Sequence, residues 1–494
     1  MKRQFFAIGS AFSALLSLLL TTGCSDDFLD RKPQGQAIEG EIAVGGFEAS
    51  AFGLYGILRG DVDDKVGISG FPRVLFQSIR SDDSDIGSSP GDGGASVQSF
   101  EKFEYTATNE KASQNWNDHY DLIDACNKLI NDIEVSGDTS NPTMVNKAEA
   151  QLLRAWAYFE LRRDFGQVPL VTKPIVNIGD GNVPKAEIAT IDALIKTDCE
   201  FAESKLPTTW AAYPGRATSG FAKTLLAKLY LYQKNWAASL AKSEEVIASG
   251  VYSLESYATL FSDEGDNTKE SIFEIQQLYY VGAKHSDKVY NNYWGTQGIR
   301  ATGDWNLGWG FNVPSSGLLA AYENTITDKR YVATVLHEGE GDGFGLTVPT
   351  GLNQKYWNKK AYSNPKTRDK MGTKYNYWSN IKVFRYADII LMAAEAANES
   401  GNTASATTYL NQIRTRAGLS ATTAASQADL RKAIKQERRI EFALEGERFY
   451  DLVRWGDAST ELGSKGYTSK HALYPIPQIA IDKSQGVLVQ NPNY

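Results

Sequence analysis

The chain is poor in the residues that most metal and redox chemistry needs: three cysteines (Cys24, Cys126, Cys199) and four histidines in 494 residues. None of the cysteines lies in a CxxC, so zinc ribbons and dithiol redox chemistry have no support. His119, His285, His337 and His471 are scattered, and each reads as a surface or packed residue rather than a ligand. HExxH, GxSxG and Walker signatures are missing, which removes the motif-bearing hydrolases and nucleotide-binding enzymes. A glycoside hydrolase survives this test, because two isolated carboxylates leave no pattern. Positive charge is also in deficit: 51 Lys and Arg against 59 Asp and Glu give a net charge of −8. That balance argues against nucleic acid or anionic lipid as the main partner. No Pro/Ser/Gly linker or charge block divides the chain, so one large module is as reasonable as two or three domains.

Long apolar runs are equally scarce, and the longest stands at the start. Lys2 and Arg3 precede an apolar stretch from Phe5 to Leu20, then Thr21, Thr22 and Gly23 lead into Cys24. A basic start, a short apolar core and small residues make a secretory signal peptide over 1–23 rather than a permanent span. The site resembles the lipobox of bacterial lipoproteins, in which the thiol of the first mature residue takes a diacylglycerol. Leu20 departs from that pattern by lying one place early, with Thr21 in its position. A lipidated Cys24 holds the protein on its membrane, since several acyl chains anchor firmly where one does not. The plain alternative is an ordinary secreted protein. The next best run, "ADIILMAAEAA" from Ala387, is broken by Asp388 and Glu395 and reads as a buried helix. Cys126 and Cys199 are left as two buried thiols or one disulfide.

What the chain does have is helical periodicity. Leu152, Ala155, Trp156 and Phe159 fall at steps of three and four, with Gly166 as a stop. Residues Phe221 to Gly250 read as two helices broken at Lys234-Asn235, and Arg385 to Leu419 repeat the plan with a polar turn at Glu399 to Asn402. Alanines where helices meet and an aromatic closing each pair look like tetratricopeptide hairpins, which must stack to bury their faces. Helical scaffold is expected over about 113–165, 216–252, 384–419 and 428–456. Between about 264 and 380, Gly, Asn, Ser and aromatics replace the periodic faces, and binding sites favour such loop-rich stretches.

The segments "CSDDFLDRKP", "RAWAYFELRRDFGQVPLV", "RYADIILMAAEAANE", "LNQIRTRAGL", "ERRIEFALEGERFYDLVRWG" and "LYPIPQIAIDKSQGVLVQNPNY" follow one another from Cys24 to Tyr494. In this order and spacing the chain resembles the SusD/RagB family of surface lipoproteins of Gram-negative bacteria. The resemblance implies a mainly α fold of four tetratricopeptide-like helix pairs plus a loop-rich ligand-binding portion, in a single module over 24–494. It implies a non-catalytic role: capturing an oligosaccharide at the cell surface and delivering it to a SusC-type TonB-dependent transporter of the outer membrane. No cofactor and no nucleic acid are implied. The acidic residues after Cys24 fit export to the surface.

Three groups of residues carry candidate chemistry. Glu437, Glu441 and Glu445 recur every four residues, which puts like charges on one helical face and demands cations nearby. Arg438, Arg448 and Arg454 are at hand. The set reads as a salt-bridge network, against a hydrolase acid pair. Eight aromatics lie between Tyr279 and Phe311, 33 residues in a chain that is 11% aromatic overall. A flat ring stacks on the C–H face of a sugar while Asp, Asn and Arg bond its hydroxyls. Tyr290, Tyr293, Trp294 and Trp305, with Asn291, Asn292, Arg300 and Asp304, are the candidate platform; core packing is the competing reading, favoured for Trp309. The loop Arg80 to Gly94 adds Asp82 and Asp83 as hydroxyl partners, or is simply solvated. A structural calcium held with Asp85 is conceivable, without the spacing of a recognised calcium loop. The stretch "YNYWSN" from Tyr375 reads as packing. Two other function classes stay open: an anchored glycoside hydrolase, and a binder of peptides or proteins through the repeats.

Overall fold

The apolar steps of three and four become helices nearly where the sequence places them. The computed structural model describes residues 46–60, 68–177, 179–284 and 287–494, so Cys24, the leader and His285 lie outside the described residues. Helix α1 (Gly46–Arg59) buries Phe47, Ala51, Leu54 and Leu58. α2 (Glu110–Ser136) starts where Asn109 accepts N–H bonds from Lys111 and Ala112 and stops at Gly137, at φ 67°. α3 (Asn141–Phe165) is buried nearly all round from Ala148 onward, as expected of a helix covered by neighbours on both sides.

α4 (Ile188–Lys205) has no counterpart among the expected helices. Its buried face carries Ile191, Ile195, Cys199 and Ala202, but also Asp192 and Asp198. Two acids interrupt the apolar stripe and hide it from a hydrophobicity reading. The fold tolerates them because α3 supplies the cations: Arg154 Nε lies 2.8 Å from Asp198 and Arg162 Nε 2.5 Å from Asp192. α5 (Ser219–Tyr232) and α6 (Trp236–Ala248) flank the expected break, where Asn235 caps α6 by accepting from the Ala238 N–H. α7 (Tyr386–Glu399) and α8 (Thr403–Ala417) are joined by the polar turn, with Asn402 as the cap. α9 (Gln427–Glu441) and α10 (Arg448–Trp455) follow.

Helices α2 to α6 pack each against the next, and α7, α8 and α9 continue the array, α7 lying against α6. The chain thus leaves the helical layer after α6 and re-enters at α7. Helix α10 does not close a hairpin with α9 as expected: it packs on the π-helical turn Leu75–Ile79 and on the short helix Ala458–Leu462. The cause is the intervening turn, where Leu444 (φ 64°) and Gly446 (φ 89°) take left-handed conformations. Gly446 is obligatory there, since a Cβ would sit 2.7 Å from Cβ of Gln77. Cys126 and Cys199 are both free and buried.

The excursion between α6 and α7 is held by three two-stranded antiparallel ladders. β1 (Ser84–Gly87) pairs with β3 (Phe311–Pro314), β2 (Ser271–Ile275) with β6 (Ile381–Arg385), and β4 (Val335–His337) with β5 (Tyr356–Asn358). β1–β3 brings the 80–94 loop onto the aromatic-rich segment, with Asp85 opposite Val313. Beneath this portion lies an apolar cluster of its own, built from Ile299, Leu307, Val313, Leu336, Val348, Trp357 and Tyr362, with Ala301, Trp305 and Leu352 packed on it. Trp357 is wholly buried. Trp357→Ala is expected to lower stability by about 3–5 kcal/mol and to loosen the loops above it, readable as a lower denaturation midpoint.

Candidate functional site

The acidic ladder is structural. α9 ends at Glu441, so Glu445 lies past its last turn rather than on the same face. All three glutamates are buried or nearly so, and cations from distant segments hold them. Arg330 and Arg414 bind Glu437; Arg385 (3.0 Å), Arg416 (2.6 Å) and the Tyr257 hydroxyl (2.6 Å) bind Glu441; Arg385 (2.8 Å) and Lys360 (2.6 Å) bind Glu445. The expected partners are engaged elsewhere. Arg438 bonds Asp388 and Asp451, Arg448 bonds Asp82, and Arg454 bonds Glu395 and Asp451. No carboxyl of this ladder faces a cleft with the freedom an acid or base needs.

The network sets the response to acid. Burial opposes charge on Glu441 and Asp388, yet Arg416, Arg385 and Arg330 around the first and Lys228 and Arg438 around the second outweigh it. Both carboxyls are held well below the usual range. A carboxyl with a lowered folded-state pKa stabilises the fold fully above its unfolded value of about 4 and loses that contribution as pH falls. Asp83, Asp164 and Asp266 act oppositely, because burial pushes each up to about 6 and favours the fold as pH drops toward about 4. Burial holds His119 and His471 down at about 4, which costs stability over the same window and offsets the aspartates, so the thermal midpoint is expected to change little between about pH 6.5 and 4.5 and to fall steeply below about pH 4. Thermal scans at constant ionic strength check this; a midpoint still rising at about pH 3 contradicts it.

The aspartates of the 80–94 loop divide in the same way. Asp83 is buried with Arg439 at 2.6 Å, and Asp82 bonds Arg448 at 2.8 Å and Arg439 at 3.0 Å. Asp85 pairs with Lys465 at 3.3 Å. With their charge met by arginine and lysine, neither Asp82 nor Asp83 offers a free carboxylate to a hydroxyl or to calcium, so both are withdrawn as ligand candidates. The tip of the loop is the part that reaches the surface site. Asp92 lies 2.7 Å from Arg300, whose guanidinium also donates to the Ser88 hydroxyl at 3.2 Å, and Asn353 donates to the Ser89 hydroxyl at 2.8 Å.

The platform residues separate likewise. Tyr293 is buried in the main core, Tyr290 packs on Tyr377 with centroids 4.5 Å apart, and Asn292 is buried. Asn291 is buried as well, donating to the Ser69 hydroxyl and the Arg59 carbonyl. Half-buried Trp294 turns its indole N–H to the Ser379 carbonyl at 3.0 Å. Apart from half-buried Trp294, these side chains lie in the interior. Arg300, Asp304 and Trp305 remain at the surface: the Asp304 side chain is fully exposed, touched by Lys374 at 3.4 Å, and Trp305 is half-buried.

Trp305 is not alone. Its ring runs nearly parallel to Tyr362, at 16° with centroids 6.1 Å apart, and Phe344 lies 6.1 Å beyond Tyr362 at 31°. Phe344 rides the tip of a hairpin in which buried Asp342 accepts N–H bonds from Phe344 (2.7 Å) and Leu346 (2.9 Å) and the Tyr362 hydroxyl bond (2.7 Å). Phe344 and Leu346 are 42% and 44% exposed, unusual for apolar side chains on so well-bonded a loop. The result is a rigid aromatic row, Trp305–Tyr362–Phe344, flanked by Arg300, Asp92, Asp304, Asn353 and Lys374. Flat apolar faces with donors and acceptors at their rim match a pyranose better than they match a fully apolar ligand. A second aromatic group, Tyr279, Tyr290, Tyr375 and Tyr377, adjoins it across Lys374.

Sequence reasoning missed Phe344, Tyr362 and Asn353. One signal was present: "GDGFGL" sets a lone aromatic among glycines and an aspartate, where a packing role is hard to satisfy. Within the helical array, a smaller cleft of about 320 Å³ carries Trp236 and Trp455, but its carboxylates Glu395 and Glu399 are already paired with Arg454 and Arg431. Among the described residues no His/Cys/Asp/Glu cluster suits a metal ion, and no helix is long and apolar enough to cross a membrane.

Comparison with known proteins agrees with this architecture. Residues 269–472 match the profile described as the SusD family, and residues 84–231 match one described as "Starch-binding associating with outer membrane". A SusD-like protein of Bacteroides ovatus is 27% identical, over 88% of this chain and 80% of its own. A solved laminarin-binding SusD-like protein is 29% identical with a TM-score of 0.77, covering 91% of this chain and 99% of that one. Surface glycan-binding protein A from Bacteroides fluxus is 26% identical with a TM-score of 0.75, covering 92% and 100%. Helical array, loop-rich excursion and sequence motifs coincide, and the chain belongs to the SusD/RagB family.

Proposed function

We propose that the protein is a non-catalytic glycan-binding lipoprotein of the outer-membrane surface, tethered through Cys24, which captures oligosaccharide and passes it to a SusC-type TonB-dependent transporter. The observation that carries the binding role is the aromatic row in which half-buried Trp305 and exposed Phe344 pack on either side of buried Tyr362, over an apolar base and rimmed by Arg300, Asp92 and Asp304. The laminarin-binding relative makes laminarin oligosaccharides the first probe. Catalysis is disfavoured because the acids the sequence singles out are neutralised in the interior. Calorimetric titration with laminarin oligosaccharides and other neutral glycans tests the reading, together with a reducing-end assay on the same mixtures. Saturable binding without release of reducing ends is expected; steady release of new ends would make the protein a hydrolase.

The tether has its own test. Cys24→Ala removes the acylation site, and several buried acyl chains give far more membrane affinity than the acidic protein surface can. The variant is expected to lose metabolic palmitate labelling and leave the outer-membrane fraction. Retention of full labelling would place the anchor elsewhere.

A further inference from the structure

The aromatic row ends at a pocket of about 650 Å³ whose wall includes Phe344 and Tyr362. Its floor and far wall come from Tyr257, Phe261 and Val332 and from two lysines, Lys329 and Lys359. Charges elsewhere in the lining are committed. Arg416 bonds Glu270 at 2.7 Å and Glu441 at 2.6 Å, and Asp342 is taken by two backbone N–H groups and the Tyr362 hydroxyl. Neither lysine has a carboxylate within ion-pair distance among the described residues, and Glu255 is the remaining acid of the lining. The contrast with the next residue is direct. Lys360 turns inward to Glu445 at 2.6 Å and to the carbonyls of Ala443 and Glu441, while Lys359 is left half-buried beside the Gly343 turn, with Asp342 and Glu340 near it but outside ion-pair distance. Burial pushes the Lys359 ammonium below its usual range and outweighs the opposing pull of Asp342 and Glu340.

We propose that this pocket takes a negatively charged sugar unit, a uronate or a sulfate ester, of a glycan whose neighbouring residues lie on Phe344 and Trp305. The ammonium of Lys359 meets the anion, Lys329 adds long-range attraction, and exposed Phe344 takes the apolar face of the ring. This rests on the glycan-binding reading above and narrows it to acidic glycans. A desolvated cation waiting at the end of a stacking surface favours the charged ligand over its neutral isostere, since a neutral sugar leaves the ammonium unpaired.

The test is calorimetry with three probes: oligogalacturonate for the carboxylate, sulfated galactan oligosaccharides for the ester, and neutral laminarin oligosaccharides. Wild type, Lys359→Gln, Lys329→Gln/Lys359→Gln and Trp305→Ala are compared at low and high salt. At least one acidic glycan is expected to bind. Its affinity should fall about tenfold in Lys359→Gln and its salt dependence should flatten in the double variant, with affinity for any neutral glycan unchanged. The same acidic glycan should shield Lys359 from amine acylation, mapped by mass spectrometry. Binding of neutral glycan alone overturns the acidic pocket and leaves the binding reading standing. Acidic binding that ignores the lysine substitutions also overturns it. Failure of every glycan, neutral and acidic, removes the binding reading and the pocket with it.

Discussion

Trp305→Ala is expected to weaken glycan binding by about 30-fold, and the double variant Trp305→Ala/Phe344→Ala to abolish measurable affinity. A central tryptophan at a recognition surface typically contributes about 2 kcal/mol or more, and 1.4 kcal/mol is a factor of ten. The tryptophan here is favoured on two counts. Its ring is already oriented by parallel contact with Tyr362, so little rotamer freedom remains to be lost on binding, and the cluster beneath it is a packed core rather than a mobile loop. Calorimetry with the best-binding glycan reads the effect, and an unchanged denaturation midpoint separates it from misfolding. Tyr293→Ala serves as contrast: buried in the main core, it should cost stability before it costs affinity.

The second large effect is on stability. Arg385 reaches Glu270 at 2.6 Å, Glu441 at 3.0 Å and Glu445 at 2.8 Å, and the residue is 2% exposed. Arg385→Met leaves three interior carboxylates short of their shared cation. Removing one partner of a buried pair costs about 3–5 kcal/mol, so a loss at or above that range is expected in the apparent unfolding free energy. Arg385→Lys keeps the charge but not the planar fork that serves three acceptors, and should recover only part of the loss. The pairs Arg438–Asp388 and Lys228–Asp388 tie the same region to α5 and α7. Urea denaturation of the variants at about pH 7 measures both; a loss under about 1 kcal/mol for Arg385→Met would show that the hub is dispensable.

Legibility of the sequence followed the kind of signal each element carries. α3, α5, α6, α7 and α8 announce themselves by Ala, Leu and aromatic residues at helical steps. α4 escapes because Asp192 and Asp198 lie on its buried face, and nothing local reveals that Arg162 and Arg154 will neutralise them. The glutamate ladder reads correctly as an ionic lock while its partners do not, since Arg330, Arg385, Arg414 and Arg416 come from other segments and only the fold adds them. The aromatic count between Tyr279 and Phe311 points to the right portion of the chain. It cannot separate Trp305, which faces outward, from Tyr293, which faces the core, because these loops have no period from which to read a face. Phe344 and Tyr362 lie 39 and 57 residues after Trp305 and join it through the β4–β5 ladder and the hairpin above it.

Hydrogen exchange with and without a saturating glycan locates the ligand most directly. Slowed exchange is expected at residues 300–306 and 342–346 and at the 88–92 loop, with α2 to α9 unchanged. Slowing confined to the helices, with those three loops exchanging as freely as before, would contradict a ligand surface built on Trp305 and Phe344.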